Sequence, residues 1–227
     1  MEYQTATPVS TVATEQNKVL RNTYMMLALT MIPTVIGAFV GMSVNFSFMA
    51  ASPIISALLM FGAMMGMMFA VSALRNSVWG IAALLGFTFV AGVFLGPILQ
   101  VALHFKNGAQ LIAMAAGGTG IIFFSLATIA TVTKKDFSFM GKFLFIGMIL
   151  LVVASLANVF FQIPALALTI SAIGVLIFSA YILFDVSRIV NGGETNYVMA
   201  TLGLFLSIYN LFISLLQLLM AFSGERD

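Results

Sequence analysis

Apolar residues run along this chain in stretches of about twenty, broken by short polar interruptions. The stretches fall at approximately 23–42, 53–74, 78–100, 109–132, 141–161, 164–184 and 197–222. Each is close to the ~20 residues that carry a helix across ~30 Å of hydrocarbon. Strands of a membrane barrel would alternate apolar and polar positions, and these runs do not. A backbone surrounded by lipid must satisfy its own hydrogen bonds, which leaves helices. The pattern predicts an all-α integral membrane protein, a bundle of seven transmembrane helices. The interruptions are built from turn residues: Ser52-Pro53, Arg75-Asn76-Ser77, Phe105 to Gly108, Thr133 to Asp136, Gln162-Ile163-Pro164 and Asn191-Gly192-Gly193. The tightest is 162–164, where one glutamine and one proline carry the whole reversal.

Composition agrees with lipid as the solvent. Of 227 residues, 62% are hydrophobic and 7% charged, with a mean hydropathy of +1.14; a soluble domain carries roughly 25% charged residues. The net charge of +2 and pI near 9.0 reflect membrane orientation and not a nucleic-acid partner. With the N-terminus placed in the cytoplasm, Lys18, Arg21, Arg75, Lys134, Lys135, Lys142 and Arg188 fall inside. Lys106 and Arg226 fall outside. This asymmetry predicts a multi-pass protein of the cell membrane, N-terminus cytoplasmic and C-terminus outside. Residues 1–22 read as a polar cytoplasmic tail without a cleavable signal peptide, 23–222 as the transmembrane domain and 223–227 as a short C-terminal tail.

Within the spans, Gly37 and Gly41, Gly62 and Gly66, and Gly92 and Gly96 form GxxxG pairs, which let helix backbones approach closely. Met60, Met64, Met65, Met67 and Met68 crowd the second span, a composition suited to filling irregular gaps. No cofactor or metal site is expected: the chain has one histidine, His104, and no cysteine. No base–nucleophile pair supports an enzyme either.

Two polar features stand out. Asp185 abuts the sixth apolar run; it is either a functional carboxylate at membrane depth or an interfacial residue paired with Arg188 at i+3. Arg75 is a candidate counter-ion to it or a simple positive-inside anchor. Ser207, Asn210, Ser214 and Gln217 lie on one face of the last span. That stripe predicts an inward-facing, central seventh helix.

Gly92-Val-Phe-Leu-Gly-Pro-Ile-Leu99, Ala115-Ala-Gly-Gly-Thr-Gly-Ile-Ile-Phe123, Phe184-Asp185, Leu204-Phe-Leu-Ser-Ile-Tyr-Asn-Leu-Phe212 and Arg21-Asn-Thr-Tyr24 resemble motifs of the Bax inhibitor-one (transmembrane Bax inhibitor motif) family. The likeness covers nearly the whole chain and is greatest to the bacterial YccA-type branch. It implies a seven-helix fold with the last helix central. It also implies a pH-sensitive calcium leak built on two facing aspartates, the first of which corresponds to Asp185. The second position is Ser207 here. A carboxylate facing a hydroxyl lacks the like-charge coupling of an aspartate pair and offers one anionic calcium ligand fewer. The branch further implies a modulator and slow substrate of the membrane AAA protease FtsH. The expected partners are therefore membrane lipid, an FtsH-type protease, and calcium or protons.

Overall fold

The computed structural model describes residues 9–47 and 51–224. Among them the helices are α1 (Val9–Ser43), α2 (Pro53–Leu74), α3 (Val78–Phe94), α4 (Gly96–Leu103), α5 (Gly108–Thr133), α6 (Gly141–Phe161), α7 (Pro164–Val190) and α8 (Tyr197–Ser223). A 3-10 turn, Ser138–Met140, leads into α6. With α3 and α4 taken as one broken span, Val78–Leu103, seven spans are long and apolar enough to cross a membrane. Every sequence interruption marks a real break. The first helix starts earlier than its apolar run: the chain is already helical at Val9. Of the tail expected over 1–22, residues 1–8 lie outside the described residues.

Local chemistry explains where helices end. Pro53 and Pro164 open α2 and α7, where the missing N–H would be unpaired anyway. Gln162 adopts a left-handed φ of 51° and its N–H bonds the Asn158 carbonyl at 2.8 Å. The Asn158 side chain accepts the Ile163 N–H at 3.0 Å. Three residues therefore suffice for the α6–α7 reversal. Pro97, which has no N–H to offer the Val93 carbonyl, accompanies the break between α3 and α4.

Two seams organise the bundle. In the first, α1 and α3 cross at their glycines. A methyl group on Gly37 would strike the Phe89 carbonyl, one on Gly41 the Val93 carbonyl, one on Gly92 the Thr34 carbonyl, and one on Gly96 the Gly41 carbonyl. The Val93 carbonyl, which Pro97 cannot bond, thus lies against the Gly41 backbone. The Gln100 amide reaches from α4 to cap the end of α1, donating to the carbonyls of Met42 (2.8 Å) and Val44 (3.0 Å); such terminal carbonyls have no partner within their own helix. The Tyr209 hydroxyl of α8 donates to Ala91 at 3.0 Å, which ties the broken span to the last helix. Gly62 and Gly66 behave differently. Beta carbons there would meet nothing within 4 Å, because the face of α2 that carries them packs on no other part of the described chain. The packing expected of this pair is therefore not made among the described residues.

The second seam joins α7 to α8, and α8 also packs on α1, α2, α3, α4 and α5. A larger apolar core around Leu84, Phe87, Ile182 and Phe205 and a smaller one around Leu99, Leu111 and Leu216 fill the space between helices.

Candidate functional site

The polar stripe of the last helix faces α7. The Ser171 hydroxyl and the Gln217 amide oxygen are 2.6 Å apart. A methyl on Gly174 would lie 2.6 Å from the Ser214 hydroxyl, and one on Gly203 would lie 3.3 Å from the Asp185 carboxylate. Numbers fall along α7 as they rise by equal steps along α8, the register of an antiparallel pair. The stripe is mainly an interhelical polar seam. Asn210 takes no part in it: its amide donates to the Leu206 carbonyl of its own helix at 2.8 Å.

At one end the seam opens into a cavity of about 300 Å³ between α2, α7 and α8. Asp185 sits there, half-buried, five residues before the end of α7. Ser207 is buried; its hydroxyl donates to the Gly203 carbonyl of its own helix at 3.1 Å, and Gly203 backs onto the Asp185 carboxylate. Arg188 and Glu194 share the cavity wall with Asp185, while Met68, Phe69 and Ser72 close the α2 side. The Arg188 guanidinium is 3.5 Å from Glu194 and 5.5 Å from the centre of the Phe184 ring. Arg75 is not part of this wall. It is exposed, and its backbone carbonyl accepts the Asn196 amide at 3.2 Å. The basic neighbour of Asp185 is thus Arg188, one helical turn along, and not Arg75. Two carboxylates and one guanidinium thus line a partly enclosed space.

The same end of the bundle is closed by a polar rim that sequence reasoning missed. Glu194 accepts the Asn196 N–H at 2.9 Å. Asn196 caps α8 by accepting from the N–H groups of Val198 and Met199, both at 3.0 Å. Its amide also donates to Asn76 at 2.9 Å, linking the α7–α8 turn to the α2–α3 turn. Ser187 donates to the Lys135 carbonyl (2.9 Å) and accepts from the Phe137 N–H (3.0 Å), which links α7 to the α5–α6 connection. A trace was present in the sequence: Asn196 immediately before the last apolar run is a helix N-cap residue. Its cross-chain partners were not legible there.

Comparison with known proteins covers the same ground. The family described as "Inhibitor of apoptosis-promoting Bax1" matches residues 16–224. The chain is 42% identical over 203 residues to "Modulator of FtsH protease YccA" of Escherichia coli K12, covering 89% of this chain and 90% of that protein. It is also 42% identical to an uncharacterized membrane protein of Vibrio cholerae over 205 residues, 90% of each chain. A Neisseria meningitidis protein is 40% identical over 92% of this chain and 93% of its own. The match runs from the start of the first span to the end of the last, and takes in both seams and the Asp185 cavity. The chain therefore belongs to the Inhibitor of apoptosis-promoting Bax1 family.

Proposed function

We propose that this protein is a non-enzymatic, multi-pass inner-membrane protein that modulates an FtsH-type AAA protease, with its N-terminus in the cytoplasm. The observation that carries this reading is the 42% identity, over 89% of the chain, to a protein named as a modulator of that protease. The expected orientation puts the hydrogen-bonded, basic end of the bundle on the side where a cytoplasmic protease domain would work. Residues 1–8 precede the first described helix, so their deletion leaves every described helix whole. The test is co-purification of the intact protein with the membrane protease, together with the degradation rate after deleting residues 1–8. Retention of the complex with slowed degradation is expected. No association, together with unchanged turnover, overturns the reading.

A second reading rests on the cavity. Asp185 and Glu194 lining a space of about 300 Å³ support a pH-sensitive leak for calcium or another small cation. Calcium flux into proteoliposomes tests it with wild type, Asp185→Asn and Ser207→Asp. Flux that Asp185→Asn alters and Ser207→Asp raises is expected. Flux absent at every pH from correctly inserted protein removes this reading and leaves the first untouched.

A further inference from the structure

The connection between α5 and α6 carries an excess of positive charge, three lysines against one acid. Lys134 and Lys135 follow directly on Thr133, the last residue of α5, and Lys142 is the second residue of α6. All three are exposed. Among the described residues, none of their side chains makes an ion pair or hydrogen bond. Because two spans end here, these ammonium groups stand at the level of the lipid headgroups.

The backbone that presents them is held in place. The Lys135 carbonyl accepts from Ser187 at 2.9 Å and from the Asn191 amide at 3.3 Å, and the Phe137 N–H donates to Ser187 at 3.0 Å. Lys134 stands in the left-handed region with φ 51°, where glycine is the least strained residue at the end of a helix. A lysine thus occupies a backbone conformation that disfavours it. Asp136, the one acid in the connection, is turned to Ser138: the Ser138 hydroxyl and its N–H, the latter at 2.8 Å, hold this carboxyl below the ordinary range. It cancels one positive charge and leaves a net of two. Beside the lysines, Phe139 and Phe143 are 78% and 69% exposed. Rings at this level rest against acyl chains just beneath the headgroups.

Unpaired ammonium groups above lipid-facing aromatic rings match one kind of molecule, with an anionic phosphate at one end and hydrocarbon at the other. We propose that the α5–α6 connection is a binding site for the headgroup of an anionic glycerophospholipid, held by Lys134, Lys135 and Lys142 with Phe139 and Phe143 against its acyl chains. The site does not depend on the protease or the leak reading.

Native mass spectrometry of the purified full chain tests it, with phosphatidylglycerol and phosphatidylcholine offered in competition. Preferential retention of phosphatidylglycerol is expected. The triple variant Lys134→Gln, Lys135→Gln, Lys142→Gln should lose about tenfold or more of that preference. A Lys18→Gln, Arg21→Gln variant, which removes two charges from the same end, should keep it. Should the triple variant fail to fold, Lys142→Gln alone is expected to lower the preference about fivefold. Equal uptake of both lipids by the wild type overturns the proposal, as does an undiminished preference in the folded lysine variants. Displacement of the lipid by millimolar inorganic phosphate would overturn it in favour of a soluble anion. Displacement by an acidic peptide, dependent on the same lysines, would overturn it in favour of a protein partner.

Discussion

The α1–α3 and α7–α8 seams solve one problem by opposite means. Apolar side chains gain little by leaving lipid for one another, so helices in a membrane need some other reason to associate. Between α1 and α3 the reason is shape. Gly37, Gly41, Gly92 and Gly96 leave no room for a side chain, and backbone meets backbone. Between α7 and α8 the reason is polarity. Ser171 and Gln217 share a hydrogen bond, Ser214 turns its hydroxyl to Gly174, and Asp185 turns its carboxylate to Gly203. A glycine seam has nothing that can titrate or rearrange. A polar seam has both, and it is the one that opens into a cavity. The chemistry a membrane bundle can perform is concentrated where packing is done by hydroxyls and a carboxylate.

The comparison can be broken most forcefully at Gly92. Gly92→Leu places a side chain against the Thr34 carbonyl, and because the obstacle is backbone, no neighbouring side chain can yield. A loss of about 3 kcal/mol is expected, read as a fall in the thermal unfolding midpoint in detergent. An unchanged midpoint would mean the two helices do not meet there. In the polar seam the obstacle is a side chain, so rescue is possible. Gly174→Ala should cost about 1 kcal/mol by crowding the Ser214 hydroxyl, and adding Ser214→Gly should restore most of it. Failure of the rescue would show that the seam is as rigid as its glycine counterpart.

The polar bond itself contributes less. A double-mutant cycle on Ser171→Ala and Gln217→Leu should give a coupling of about 0.6 kcal/mol, the average for interhelical hydrogen bonds in a membrane protein; zero coupling would assign the seam to shape alone. The smallest effect belongs to the glycine pair outside both seams. Gly62→Ala or Gly66→Ala meets open space and should raise stability by about 0.5 kcal/mol through helix preference. A marked loss would reveal a packing partner for that face.

The membrane-spanning architecture was legible in the sequence because length and hydrophobicity are local properties. A run of twenty apolar residues must be a spanning helix whatever its neighbours do. Turn residues were equally legible, and the reversal assigned to 162–164 is made there by a left-handed Gln162 with Asn158 beside it. The family resemblance pointed to Asp185 and Ser207; Asp185 lies against Gly203, one turn before Ser207 on α8.

Partnership was not legible, because it belongs to pairs of residues far apart in the chain. Three GxxxG pairs are indistinguishable as strings. Only the packed bundle separates the two that lock α1 to α3 from the one on α2 that meets no other described residue within 4 Å. The stripe on the last helix announced a polar neighbour without saying which, and α7 supplies it. Arg75 and Arg188 are both basic residues near a helix end. The fold turns Arg188 into the cavity beside Asp185 and Glu194, and leaves Arg75 exposed with its carbonyl bound by Asn196. A hydropathy pattern determines which residues enter the membrane, since that is a contest between each segment and lipid. Which residues then meet is a contest between helices, and it is decided by shape and hydrogen bonding in three dimensions.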